Sequence, residues 1–348
     1  MHRAGQADVL FTDATTPLPD DEIKKYDIIQ YHKGYINFKE VDRFERLGVT
    51  VVCDFDDYWE LPKSHGLFNE YNYVNKHKDG KPIFARDDKG QMIKKEKTTT
   101  QFFHDVLRKH EYITTTTPLL AEQIYPYNKN VEVFENSLHP LAPMMVHKPT
   151  ESEKYRLGWI GGSQHWIDIQ LLRGFPNKLN YDHKTKGKYE LQLYGYMPKT
   201  VYDNFAEIFT DYYKIKEPLR RFPPRPAMHS EDNDSYLTYY NEMDCALVPL
   251  ADTKFNSLKS ELKVVEAAFF KKPVIVSNVE PYTRIINDTN SLIVRKPKDW
   301  FVHAKKLILN PNLGIDLGEK LYEDVIQKYH VGVVNERRTA WYKSIIKS

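Results

Sequence analysis

Between Val248 and Asn278 the chain reads strand, loop, helix, strand, an order that builds a parallel sheet with helices on its faces. "CALVPL" is a short apolar run closed by a proline, which suits a buried strand. "ADTKFNS" is a polar loop, and "PVIVSN" is the next strand. The intervening "LKSELKVVEAAFF" carries Leu258, Leu262, Val265 and Phe269 as a helical apolar stripe. Lys259, Lys263 and Glu266 recur at helical spacing on a different face. A helix over this segment offers a positive N-terminus, two ammonium groups and, roughly 10 Å further along at about 1.5 Å per residue, one carboxylate. Cations and amides near Asn256 and Ser257 suit a diphosphate, and the carboxylate suits a ribose diol. An ordinary amphipathic helix with a solvated Lys/Glu face is the plainer reading, and the flanking strands weigh against it.

With these residues in view, the segment resembles the donor-binding helix of the GT-B glycosyltransferases, in the retaining branch that uses nucleotide-sugars. That branch carries a pair of glutamates here. Glu266 matches the second, the ribose ligand, and Leu258 stands in place of the first, leaving Asn256 or Lys259 to meet the sugar. The resemblance implies an α/β chain of two Rossmann-like domains facing across a cleft. It also implies donor binding by the second domain without a metal or other cofactor, the UDP-sugar being a substrate.

Length and composition agree. A chain of 348 residues suits two domains, and 41% hydrophobic residues can fill two interiors. A formal net charge of +2 demands neither nucleic acid nor membrane as partner. Cys53 and Cys245 lie in separate apolar runs and read as buried thiols in a reducing compartment. No apolar run approaches the roughly 20 residues of a membrane span, and no signal-peptide pattern opens the chain. The expected location is the cytoplasm, or a host's cytoplasm if the source is viral.

Residues 1–150 are expected to form the first domain, with "DVLFT", "DIIQYH", "VTVVCDF", "YITTTT" and "VEVFEN" as strands. Thr117 and Pro118 mark a helix start. An insertion near 60–110 carries turn signals at "KDGK" and "DDKG", reads as a hairpin and then a helix, and is either a substrate contact or a solvated loop. The proline-rich "LHPLAPMMVHKPTESEK" is the linker. Residues 151–330 form the donor domain, and 331–348 a last helix that in GT-B proteins crosses back onto the first domain.

Two further motifs carry candidate chemistry. In "LGWIGGSQHWIDIQLL" a strand ends at Gly161, Gly162 and Ser163, where amides can approach a ligand, and a helix is expected from about Trp166. The resemblance makes this the first donor loop, with His165 and Asp168 in a pattern found in one group of these enzymes. The alternatives are a packed or capping histidine and a favourable charge in a first helical turn. In "VTVVCDFDDYWELP" a buried strand delivers Asp54, Asp56 and Asp57 to its C-terminal end, where open α/β sheets bind ligands. They suit a general base, sugar hydroxyls or a cation; the alternative is an Asp-rich turn.

The catalytic candidates are therefore Asp54, Asp56, Asp57 and His165. The acceptor candidates are Arg3, in the opening "HRAG", and the basic cluster Arg220, Arg221 and Arg225, which is otherwise a solvated face. A glycan, a lipid carrier or a hydroxymethylated base in DNA all fit as acceptor. DNA-base glycosyltransferases of phages are compact proteins of this fold. A non-catalytic sugar-nucleotide-binding protein, prompted by Leu258, and an epimerase of the same double α/β fold are the competing functions.

Overall fold

The computed structural model describes residues 5–10, 18–33, 38–73, 84–86, 92–94, 97–142, 145, 150–194, 219–221 and 233–346. For Glu70, Ser163 and residues 84–86, 92–94, 219–221 and 233–235 it describes the backbone only. The chain divides into two compact units. Unit 1 comprises Met1–Glu135, Leu258–Ser260 and Gly332–Ser348; unit 2 comprises Asn136–Ser257 and Glu261–Val331.

Unit 1 contains β1 (Ile28–His32), β2 (Thr50–Phe55), a hairpin of β3 (Phe84–Arg86) and β4 (Met92–Lys94), β5 (Tyr112–Thr115) and β6 (Val131–Val133). Its main sheet has the order β1-β2-β5-β6 and is parallel throughout. β2 is central, and Val51, Val52, Cys53 and Phe55 are buried, which is why its apolar run is nearly unbroken. The expected hairpin forms antiparallel, and the helix Thr99–Lys109 follows behind a capping box of Thr98 and Gln101. Thr117 caps the helix Pro118–Ile124 through the Leu120 amide. The C-terminal helix Val331–Ile345 lies on this sheet. Trp341 packs edge-on to Phe134 and Tyr112, and the Ile345 carbonyl accepts from Thr50 Oγ1 at 3.2 Å. Of the opening strand expected at "DVLFT", residues 8–10 take no regular structure, and 11 and 12 lie outside the described residues.

Unit 2 contains β7 (Tyr155–Ile160), β8 (Tyr189–Tyr194), β9 (Leu219–Arg221), β10 (Cys245–Val248), β11 (Val274–Ser277) and β12 (Leu292–Val294). They form one parallel sheet in the order β12-β11-β10-β7-β8-β9. Alternation divides its side chains between two cores. Leu157, Trp159, Cys245, Leu247 and Ile275 fill one face with Trp300. Ile160, Ala246, Val248, Val274 and Val276 fill the other with Val264, Val265 and Leu321. Both cysteines are buried and unpaired. Among the described residues, no helix is long and apolar enough to cross a membrane.

Candidate active site

In unit 2, β7 runs out at Ile160 and hands over to Gly161 and Gly162. A Cβ on Gly161 would stand 2.4 Å from the Trp159 indole, so the buried tryptophan two residues back demands glycine here. Beyond the turn, the continuous helix expected from about Trp166 is replaced by short pieces. A 3₁₀ turn (Ser163–His165), four helical residues (Trp166–Ile169) and a second 3₁₀ turn (Gln170–Leu172) follow one another. The run is too short for a substantial macrodipole, so any charge offered to a ligand comes from side chains.

Those side chains are held by a buried carboxylate. Asp168 Oδ2 meets His165 Nδ1 at 2.7 Å. Its Oδ1 accepts from the Ala251 amide and from Asn256 Nδ2, both at 2.9 Å. One aspartate thereby joins the loop after β7 to the loop after β10. Asn256 donates its amide also to the Ala251 carbonyl at 2.9 Å, so its nitrogen is spent inside the protein. The Ser257 hydroxyl donates to the Lys254 carbonyl at 2.8 Å.

The helix expected to bind the donor starts later than the periodicity suggested. It spans Leu262–Phe269, preceded by the single turn Lys254–Ser257. Lys259 therefore does not share a helical face with Lys263 and Glu266; it lies in Leu258–Ser260, which groups with unit 1.

Lys263 Nζ donates to the Ile160 carbonyl at 2.5 Å and sits 6.0 Å from the centroid of the Trp159 indole. The His165 ring is edge-on to the same indole, with centroids 6.3 Å apart. A lysine and a histidine thus border one tryptophan at the C-terminal edge of a parallel sheet, where such folds take ligands. Glu266, further along the helix, is buried. It accepts from Tyr240 Oη at 2.9 Å and from Tyr236 Oη. Burial raises its carboxyl above the usual carboxylate range, against the opposing pull of Lys263 and the two hydroxyls. Nothing in the sequence pattern pointed to the two tyrosines, which stand on a 3₁₀ stretch, Asn233–Glu242, without helical hydrophobic periodicity.

In unit 1 the three aspartates have separate surroundings. Asp54 lies opposite Thr114 in the β2–β5 register and accepts from its hydroxyl at 2.5 Å. Burial raises the Asp54 carboxyl, with the nearby Asp56 charge adding to the effect. Asp56 accepts from Lys33 Nζ and meets His32 Nε2 at 3.0 Å. Burial would raise it, but His32 and Lys33 together hold it well below the usual range. The Asp56 hydrogen bond in turn raises His32, against burial. Asp57 is exposed, and its carbonyl accepts from Lys33 at 3.4 Å. Asp56 is thus the ion-paired member of the three, and sequence reasoning missed its two bases. The signal was there: "HK" ends β1 as the aspartates end β2. Among the described residues, no three His, Cys, Asp or Glu side chains are grouped to hold a metal ion. Arg3 and Arg225 lie outside the described residues, and Arg220 and Arg221 are described as β9 backbone only.

No protein-family model and no curated sequence matches the chain. Solved structures do. It is similar to HepE from Anabaena in complex with UDP-glucose, with a TM-score of 0.61 and 10% identity over 94% of this chain and 81% of that one. Sucrose-phosphate synthase from Thermosynechococcus elongatus superposes with a TM-score of 0.59 and 13% identity over 92% and 74%. TarM gives 0.59 and 15% over 93% of this chain, which spans only 57% of the TarM length. The chain has the GT-B fold.

Proposed function

We propose that the protein is a glycosyltransferase that moves a sugar from a UDP-sugar to a hydroxyl acceptor. The observation that carries this reading is the pairing of Lys263 and His165 against Trp159 at the strand ends of a GT-B donor unit. Cationic side chains at that point stabilise the diphosphate as it leaves, the work a divalent metal does elsewhere. A neighbour solved with UDP-glucose supports the choice of donor.

In this reading Gly161, Gly162 and Ser163 line the diphosphate side. Asn256 and Ser257 border the donor in the loop after β10, and Lys259 is a further candidate for its contact. Glu266 holds the ribose: each carboxylate oxygen has a second lone pair, so a diol can join or displace the tyrosine hydroxyls. Asp54, Asp56 and Asp57 meet the acceptor from unit 1, together with His32 and Lys33. Arg3, Arg220, Arg221 and Arg225 are its further contacts, and a glycan, a lipid carrier or a hydroxymethylated DNA base all satisfy the requirement for a hydroxyl.

Calorimetry with UDP, uridine and UDP-sugars tests the reading. UDP should bind at least about tenfold tighter than uridine, the equivalent of one 1.4 kcal/mol contact to the diphosphate. A purified protein that binds no nucleoside diphosphate would falsify it. Tight binding with neither hydrolysis nor transfer would leave a sugar-nucleotide-binding protein, and a changed sugar without transfer would indicate an epimerase.

A further inference from the structure

Asp168 is a buried acid of unit 2, and the functional reading above gives it no task. Three of its donors come from two different loops: His165 Nδ1 at 2.7 Å, the Ala251 amide at 2.9 Å and Asn256 Nδ2 at 2.9 Å. A carboxylate can only accept, so the His165 ring must place a proton on Nδ1. His165 then acts on a ligand through Nε2. For Nε2 to donate to a phosphate oxygen while Nδ1 donates to Asp168, the ring must be an imidazolium, and the carboxylate beside it favours that cation.

Other features point to the same ring. The buried Trp159 indole limits its tilt from one side. Lys263 borders the same indole, its ammonium 6.0 Å from the ring centroid. Asp168 is itself fixed by a backbone amide and a buried asparagine, which leaves it little freedom to follow the ring elsewhere.

We propose that Asp168 is a positioning residue of the donor site. It holds His165 as an imidazolium whose Nε2–H is directed to the diphosphate of the nucleotide-sugar, and it ties that ring to the loop after β10. This rests on the donor reading given above.

The test is a double-mutant cycle on UDP affinity, with uridine as the control ligand. D168N preserves shape, and its carbonyl oxygen can still accept from Ala251 and Asn256. Its amide, however, faces His165 as a donor and removes the charge. D168N and H165Q should each weaken UDP roughly tenfold and leave uridine unchanged. The pair together should be no worse than H165Q alone, because Asp168 acts through His165. The ¹⁵N shifts of His165 provide a second measurement. Wild type should show protons on both ring nitrogens, and D168N should leave the proton on Nε2 alone. If D168N still weakens UDP in the H165Q background, or if His165 keeps its proton on Nδ1 without Asp168, the inference is overturned and Asp168 is a packing residue. H165Q binding UDP as tightly as wild type overturns it too, with the donor reading intact. A wild-type protein that binds no UDP overturns both.

Discussion

Glu266 and Asp56 are two carboxylates that their neighbours push in opposite directions. At Glu266 burial outweighs two tyrosine hydroxyls and Lys263, so folding raises its carboxyl above the ordinary range. A raised folded-state value contributes stability that is fully present below the ordinary 4.5 and lost as pH rises through the folded value. E266Q keeps the shape without the charge. Its urea midpoint should therefore change less than that of wild type when pH rises from about 4.5 to 8; an equal change would assign the effect to another group. Asp56 is the reverse case. Its stability is present above the ordinary 3.8 and lost as pH falls through its depressed folded value. Its partner His32 contributes below the ordinary 6.5 and loses that contribution as pH rises through its raised value. D56N should bring the His32 titration down toward 6.5, followed by NMR of the ring protons. A His32 curve that does not move would separate the two side chains in solution.

Between elements, a glycine fixes how one helix of unit 2 meets its neighbour. Gly318 lies in the helix Pro311–Tyr329, and a Cβ there would stand 2.1 Å from the Lys271 carbonyl oxygen and 3.2 Å from the Pro273 nitrogen. These are backbone atoms, and Lys271 already takes a positive φ of 53°. Alanine would gain about 1 kcal/mol of helix propensity, but overpacking against immobile atoms costs about 1–3 kcal/mol. G318A should therefore melt below wild type, and an equal or higher melting temperature in a thermal scan would refute the close approach. Elements of this kind divide what was legible from what was not. The strands β2, β7, β10 and β11 were readable because burial on both faces leaves unbroken apolar runs. The start at Thr117 and Pro118 was readable because capping is local chemistry. The start of the helix Leu262–Phe269 was not: the apolar period runs on upstream of it, while Asn256 in the preceding turn answers to Asp168, 88 positions away. The fragmented stretch after Gly162 escaped for a related reason: its residues answer to Asp168 and Trp159, not to a helical period. His32 and Lys33 went unnoticed because their meaning lies in Asp56, on the next strand.

At the scale of the whole molecule, two parallel sheets and a nearly balanced charge of +2 constrain how ligands are held. Anions must be met by local cations, not by the overall field. In the proposed reading Lys263 and His165 do that work in unit 2, so UDP affinity should be the same in a chelator as in magnesium or manganese; loss of binding in chelator with recovery on adding metal would refute the cationic donor site. The acceptor is tested by the same logic. A chain this close to neutrality draws a polyanion only through a concentrated patch, and Arg220, Arg221 and Arg225 are one such cluster in the sequence. If they grip DNA, binding falls steeply with salt, by a slope of about 0.9 for each phosphate contact. Replacing all three arginines should then flatten that slope and weaken every duplex alike, while UDP affinity stays as it was. The base to be modified would also have to leave its stack to be reached, so Asn in place of Asp54, Asp56 and Asp57 should stop transfer yet spare duplex binding. An uncharged glycan predicts the opposite pattern, with little salt dependence and no effect of the arginines. A salt titration with duplexes carrying hydroxymethylated pyrimidines, run beside a neutral glycan, separates the two. Duplex binding no tighter than binding to an unrelated polyanion, with no sugar transferred to the base, eliminates DNA as the acceptor.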